Sequence, residues 1–166
     1  MIRGIHHVAV HVRDFDRMVR FYCEAFGFED LGFEGGWSDN PLIDEIIDVP
    51  NSASRTTMLC SGNCYLEIFQ YSQPRPDDSS VPLRPFQHGY THFCVDVTDI
   101  EAEVERLGKL GMQFDRSDGR PGRAVDVEIV KAIYGRDPEG NLIELQETLP
   151  GCEFDVRRLP KARMAE

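Results

Sequence analysis

Ile5-His6-His7-Val8-Ala9-Val10-His11-Val12-Arg13-Asp14 is the stretch that decides the fold. Side chains of a β-strand point alternately to the two faces of a sheet. If this stretch is a strand, its three valines share one face and the alternate residues share the other: His7, Ala9 and His11. We therefore predict a first strand with one apolar face and one face that carries histidines.

The same pattern returns in the second half of the chain, in the run Tyr90-Thr91-His92-Phe93-Cys94-Val95-Asp96-Val97. Each run leads directly into a segment with helical apolar spacing. Asp14 and Gly27 have the residue types that begin and end the first helix. Thr98 and Glu101 predict a capping box for the second helix, in which the threonine caps and the glutamate reaches back. The chain is therefore an internal repeat.

Both halves are predicted to have the order strand, helix, strand, strand, strand. The remaining strands are expected at 28–33, 56–60, 64–71, 112–115, 127–134 and 142–146. The predicted boundaries are a first βαβββ module at 1–72, a linker at 73–88, a second βαβββ module at 89–149 and a tail at 150–166. The fold class is α+β, and each helix can cover only one face of its sheet.

The face that the helices leave uncovered carries four residues of one chemical kind: His7, Glu67, His92 and Glu144. Glutamates in strands are often solvated charges on an outer face, and lone histidines are often ordinary polar residues. The recurrence of a histidine and a glutamate on the same face of both modules favours a functional site instead.

Composition excludes some classes of partner. The chain has 166 residues and a net charge of −11, which disfavours nucleic acid and anionic membrane surfaces. It has no apolar run of about 20 residues and no signal-peptide pattern at its start. Its five cysteines are an odd number without CxxC spacing, which favours free thiols and a cytoplasmic location.

Two further segments suggest contacts with other surfaces. The acidic, irregular segment 34–54 is longer than most loops and predicts a lid or a partner surface. Its apolar patch at 42–47 is a candidate contact of a homodimer. The tail carries Arg157, Arg158, Lys161 and Arg163, and it is predicted to dock on acidic surface of its own or of a partner subunit.

The chain resembles the vicinal oxygen chelate superfamily over about residues 5–148. The resemblance rests on His-Val-Ala-Val-His-Val-Arg-Asp, Tyr-Leu-Glu-Ile-Phe, Gly-Tyr-Thr-His-Phe-Cys-Val-Asp-Val and Asp-Pro-Glu-Gly-Asn-Leu-Ile-Glu-Leu. This superfamily holds glyoxalase I, methylmalonyl-CoA epimerase, fosfomycin-resistance proteins, bleomycin-binding proteins and extradiol dioxygenases. The resemblance implies two modules that pair into an open, cup-shaped mixed sheet around a divalent metal, with the helices on the outer face.

By resemblance, four residues take the metal-ligand positions: His7, Glu67, His92 and Glu144. The set is similar to that of bacterial glyoxalase I. Two imidazoles and two carboxylates suit one divalent ion such as Zn, Ni, Co, Mn or Fe. Such an ion keeps adjacent positions for a small substrate with two neighbouring oxygens. Glu144 or Glu67 is the candidate catalytic base.

Other residues are candidates for the substrate pocket: His11, Phe69, Tyr71 and Arg123. Bacterial glyoxalase I has an arginine and an asparagine, which contact glutathione, where this chain has His11 and Tyr71. This departure disfavours the hemithioacetal of glutathione as substrate.

The first-ranked function is that of a metal-dependent lyase, isomerase or epimerase that forms an enediolate from a small carbonyl, 2-oxo or thioester compound. The first alternative is an Fe(II) extradiol-type ring-cleaving dioxygenase with His7, His92 and Glu144 as ligands. The second is a small-molecule or drug-binding protein of the bleomycin-resistance type. The metal content of the purified protein distinguishes these three functions.

Overall fold

A computed structural model of the chain describes residues 4–76, 84–116 and 119–159. Residues 5–76 form one compact unit, and the described residues from 84 onward form most of a second. Each unit contains one mixed β-sheet, and the described residues include three α-helices. The α+β class is therefore confirmed, and neither sheet closes into a barrel.

The first unit has seven elements in chain order: β1 His7–His11, α1 Phe15–Phe26, β2 Glu29–Asp30, β3 Gly35–Trp37, α2 Pro41–Ile47, β4 Ala53–Cys60 and β5 Tyr65–Gln73. The order of its sheet is β1-β5-β4-β2, and β3 also pairs with β4. The β1–β5 pair is parallel and the other pairs are antiparallel.

Helix α1 begins and ends where the sequence predicts. The Asp14 side chain accepts a hydrogen bond from the backbone N–H of Arg17, and Gly27 ends the helix at a φ of 67°. Met18 and Tyr22 are fully buried on one side of the helix. Leu66 and Ile68 of β5 are buried as well, which leaves Glu67 on the opposite face of this sheet.

Two expectations for the first unit are wrong. The strand expected at 28–33 is only the two-residue β2. The segment 34–54, expected to be irregular, contains β3 and α2. Helix α2 forms because the Asn40 side chain accepts from the backbone N–H groups of Leu42 and Ile43, and because Pro41 occupies the first helical position.

The second unit has five main elements: β6 Phe93–Asp96, α3 Ile100–Lys109, β7 Val125–Asp126, β8 Val130–Arg136 and β9 Leu142–Thr148. A 3₁₀ turn follows at Val156–Arg158. The sheet order is β6-β9-β8-β7, with a parallel β6–β9 pair. The parallel first-to-last pairing thus recurs in both units, as expected for a repeat.

The strands predicted before β9 need correction. The strand expected at 112–115 is a single bridge between Gln113 and Arg136. The strand expected at 127–134 begins later, at Val130. A turn interrupts it, because Glu128 has a φ of 77° and its N–H donates to the Asp126 side chain.

The capping box predicted for the second helix is also wrong. Asp99, not Thr98, is the N-cap of α3, and its side chain accepts from the N–H of Ala102 at 3.3 Å. The carboxylate that reaches the first N–H groups is that of Glu147 in β9, which accepts from Asp99 and Ile100 at 3.3 and 3.2 Å. A residue from a distant strand therefore does what Glu101 was expected to do.

Several predictions extend outside the described residues. They concern parts of the linker, the polar loop at 117–118 and the tail from residue 160, including Lys161 and Arg163. Arg157 of the described tail pairs with the nearby Asp155. None of the described helices is both long and apolar enough to cross a membrane.

Candidate metal-binding site

The first unit brings His7 and Glu67 together. Parallel pairing of β1 with β5 sets His7 opposite Tyr65 and Ala9 opposite Glu67. The Nε2 atom of His7 lies 3.2 Å from Oε2 of Glu67. The Thr56 hydroxyl on β4 donates to Oε1 of Glu67 at 3.4 Å, which leaves Oε2 directed to the histidine.

The second unit repeats this arrangement with His92 and Glu144. His92 lies immediately before β6, and Cys94 of β6 is paired with Glu144 of β9. The Nε2 atom of His92 is 3.2 Å from Oε2 of Glu144, the same separation as in the first unit. The Tyr134 hydroxyl lies 3.4 Å from the same His92 nitrogen.

Both histidines use their other ring nitrogen in the same way. Nδ1 of His7 is 2.9 Å from Nδ1 of His6, and Nδ1 of His92 is 2.9 Å from the hydroxyl of Thr91. The preceding residue thus engages Nδ1 in each module and leaves Nε2 facing the glutamate. Contacts of this kind orient the imidazoles of metal-binding histidines.

The donor chemistry of each pair fits a divalent ion. Ligands about 2.1 Å from a metal at adjacent octahedral positions lie about 3 Å apart, close to the separation within each pair. The glutamate side chains are 17% and 18% exposed and the histidine side chains 40% and 27%, so solvent reaches both pairs. In the part of the chain that the structure describes, no three His, Cys, Asp or Glu side chains form a metal-binding group. Each unit by itself offers two donors.

The Asp-Pro-Glu-Gly-Asn segment forms the turn that leads into β9. Asp137 is buried, and its Oδ1 accepts from the N–H groups of Glu139 and Asn141 at 2.9 Å. Gly140 has a φ of 94°, which favours glycine at this position of the turn. This motif fixes the start of the strand that carries Glu144.

Charges and burial perturb the groups beside the two glutamates. Burial, followed by the charges of Glu144 and Asp96, raises the pKa of Cys94 to about 12, so its thiol is protonated at neutral pH. Burial and the Glu144 carboxylate also raise the pKa of Tyr134. In the first unit, burial and the Glu67 charge raise the pKa of Tyr71.

Three of the four predicted pocket residues lie in the first unit. The Tyr71 N–H donates to Nε2 of His11 at 3.3 Å, and the rings of Phe69 and Tyr71 are neighbours at 5.7 Å. Arg123 is an exposed residue of the loop before β7 in the second unit.

Sequence reasoning missed two residues near these groups, Trp37 and Tyr134. Trp37 contacts the rings of Phe69 and Tyr71. The chain has only one tryptophan, and its place in a polar, glycine-rich segment was the available signal. Tyr134 pairs with Glu144 across β8 and β9, a register that periodicity does not reveal.

Comparison with known proteins gives concordant results. A family model described as Glyoxalase/Bleomycin resistance protein/Dioxygenase superfamily matches residues 4–145. A 2-epi-5-epi-valiolone epimerase from Actinomyces sp is 31% identical over 163 residues, covering 92% of this chain and 83% of that protein. The metallothiol transferase FosB of Shouchella clausii is 27% identical over 148 residues, which cover 87% of this chain and 80% of the FosB chain.

Solved structures show the same fold. The crystal structure of a glyoxalase family protein from Bacillus cereus superimposes with a TM-score of 0.75 at 22% identity, covering 90% of this chain and 95% of that one. The resemblance found in the sequence is thereby confirmed. Since the family model spans most of its length, the chain belongs to the glyoxalase/bleomycin resistance protein/dioxygenase superfamily.

Proposed function

We propose that the protein is a divalent-metal-dependent isomerase or epimerase that removes and returns the proton on the carbon next to a carbonyl group. The observation that carries the proposal is the repeated pair, in which a histidine Nε2 faces a glutamate oxygen at 3.2 Å in both units. Each pair lies on the face of its sheet that the helix does not cover. The resemblance to the family implies that the four side chains together are the ligands of one metal ion.

In this proposal the ligands are His7, Glu67, His92 and Glu144. The inference that one ion takes donors from both units rests on the family resemblance. When bound, a divalent ion supplies Lewis-acid stabilisation of the negative charge that develops on the substrate oxygen. The metal is of the class Zn, Ni, Co, Mn or Fe, which such nitrogen and oxygen donors suit.

The side chains of the protein perform the proton transfer. Glu67 or Glu144 takes the proton from the carbon, the electron pair of the C–H bond moves into the enolate, and the proton returns to the same or the opposite face. The Tyr134 hydroxyl, beside His92 and Glu144, holds these groups in place. The substrate is a small molecule with two adjacent oxygens.

The relatives support an enzyme of this general kind. The Actinomyces protein is named an epimerase and the Shouchella protein a metallothiol transferase. The name of the Actinomyces protein supports a reaction that inverts a stereocentre, and the name of the Shouchella protein supports a bound metal ion. A homodimer remains our prediction, for which the exposed side chains of Leu42 and Ile46 on α2 are candidate contacts. The mass of the protein in solution tests that prediction.

The experiment that tests the proposed function combines metal analysis with hydrogen exchange. Protein purified without chelator is expected to hold about one divalent ion per chain and to exchange deuterium from heavy water into a ketone. Glu67→Gln and Glu144→Gln are both expected to lose metal and exchange, whereas the control Glu105→Gln, on the exposed face of α3, keeps both. Bound iron together with consumption of oxygen would instead establish the dioxygenase. Protein that holds no metal would establish the small-molecule binder.

A further inference from the structure

Three aromatic side chains form a corner on the same face of the first sheet as His7 and Glu67. Phe69 and Tyr71 follow Glu67 at alternate positions of β5, and their rings are tilted by 35° with centroids 5.7 Å apart. Trp37 of β3 stands nearly perpendicular to both, at 79° and 84°, with centroids 5.9 and 5.6 Å away. Two rings therefore form a floor and the indole forms a wall.

The wall is held in place by hydrogen bonds. The Trp37 Nε1–H donates to the hydroxyl of Ser52 at 2.6 Å, and this hydroxyl donates to Oδ1 of Asp44 at 2.5 Å. Asp44 also accepts from the N–H groups of Asn51 and Ser52, so α2 is fastened to the start of β4. The segment 34–54 thus orients the indole before any ligand binds, which lowers the entropy cost of binding.

A cavity of about 500 Å³ opens beside this corner, within the usual size range of small-molecule sites. Trp37 and Tyr71 line it together with hydroxyl and amide side chains: Ser38, Ser54, Gln70 and Ser72. The hydroxyls of Ser54 and Ser72 donate to backbone carbonyls and keep lone pairs that can accept from a ligand hydroxyl.

In the part of its lining that the structure describes, the cavity presents no uncompensated charge to an anionic ligand. Among the described residues that line it, Arg55 is the one charged residue. Its guanidinium lies 3.2 Å from a carboxylate oxygen of Asp16 and 4.2 Å from the centre of the Phe15 ring. The net charge of −11 repels anions further.

We propose that this aromatic corner is the substrate-binding subsite for a neutral, polyhydroxylated ring. The C–H bonds on the face of such a ring are weakly positive and pack against the negative faces of aromatic rings. Its hydroxyl groups meet the polar side chains of the cavity. The proposal rests on the proposed function, since Glu67, a candidate base, precedes Phe69 of the corner by two residues on the same face of β5.

The single tryptophan makes a direct test available. The neutral cyclic ketone 2-inosose is titrated into the protein while the fluorescence of Trp37 is recorded, and glucose 6-phosphate serves as the anionic ring of similar size. We expect a saturable change with 2-inosose and binding of glucose 6-phosphate at least about tenfold weaker. Absence of a saturable change, or equal binding of the phosphate, would overturn the proposal.

Variants locate the binding. Phe69→Leu is expected to weaken 2-inosose binding about tenfold, whereas Phe154→Leu, an exposed phenylalanine of the second unit, leaves it within about twofold. Unchanged thermal unfolding of Phe69→Leu shows that the loss is local. If Phe69→Leu binds as well as Phe154→Leu, the corner is not the subsite.

The titration is repeated after chelator treatment, which separates this proposal from the proposed function. Binding that persists without metal supports the subsite even if no metal-dependent exchange is ever found. Exchange of a ketone by protein that gives no Trp37 response to 2-inosose would leave the proposed function standing and overturn the subsite.

Discussion

Nε1 of Trp37 donates a 2.6 Å hydrogen bond to the hydroxyl of Ser52, a residue that is 1% exposed. The bond joins β3 to the residue just before β4, and it sets the indole against the aromatic residues of β5. A polar group buried without a partner is costly, so this contact determines where the tryptophan can lie.

Ser52→Ala is expected to lower the free energy of unfolding by about 1–3 kcal/mol, because the indole N–H loses its acceptor. The emission of Trp37 should change at the same time, since the ring is no longer held. Chemical denaturation and fluorescence spectra measure both effects. Ser38→Ala, at an exposed position in the same segment, is the control, and equal losses in the two variants would contradict the prediction.

Because of Asp44, the free energy of unfolding is expected to fall in the acidic pH range. Hydrogen bonds from the Ser52 side chain, and then from backbone N–H groups, lower its pKa. Because the pKa is lower in the folded state, the stabilisation is present above the pKa of the unfolded chain, near 3.8, and is lost as pH falls through the folded value. Melting temperatures of the wild type and Asp44→Asn should therefore differ at pH 7, and the difference should shrink as the pH falls below about 3.8. A constant difference over this range would show that the charge is not responsible.

Tyr134→Phe tests the role of the hydroxyl beside His92. The hydroxyl also hydrogen-bonds the Glu144 carboxylate and is expected to orient it, so its loss should weaken metal binding by about tenfold to a hundredfold. Tyr134 is 40% exposed, and the fold should be little affected. Competition with a chelating dye measures the affinity. Tyr90→Phe, at a fully exposed tyrosine of the same unit, should bind metal as the wild type does.

Glu147→Ala tests the capping of α3 by β9. The carboxylate accepts from two N–H groups at the positive end of the helix, and its removal should cost about 0.5–2 kcal/mol. Glu105→Ala removes an exposed partner of Lys109 and should change stability by less than about 0.5 kcal/mol. Urea denaturation of both variants gives the comparison. Similar effects would mean that Glu147 is not the cap.

Local features of this protein were predictable from its sequence. Alternation in β1 and β5 placed His7 and Glu67 on the face opposite the buried Val10 and Ile68, because the side chains of a strand have a period of two. The caps of α1 were predictable because a helix end is satisfied by residues within a few positions of it.

Contacts between distant residues were decided only by the tertiary structure. Strand pairing brings the Glu147 carboxylate to the first turn of α3, where it accepts from Ile100, a residue 47 positions earlier in the chain. No sequence pattern near Thr98 reveals this contact. The position of Trp37 depends on Ser52, 15 residues away, and on rings more than 30 residues away.

The sequence by itself determined the repeat, the two helix–sheet modules and the face of each module that carries a histidine and a glutamate, since these follow from short-range periodicity and residue chemistry. The tertiary structure decided that the acidic segment 34–54 is a strand and a helix fastened through Asp44. It also decided that this segment sets the Trp37 indole against Phe69 and Tyr71. The physical reason is that a buried hydrogen bond or ring contact selects its partner by position in space, not by distance along the chain.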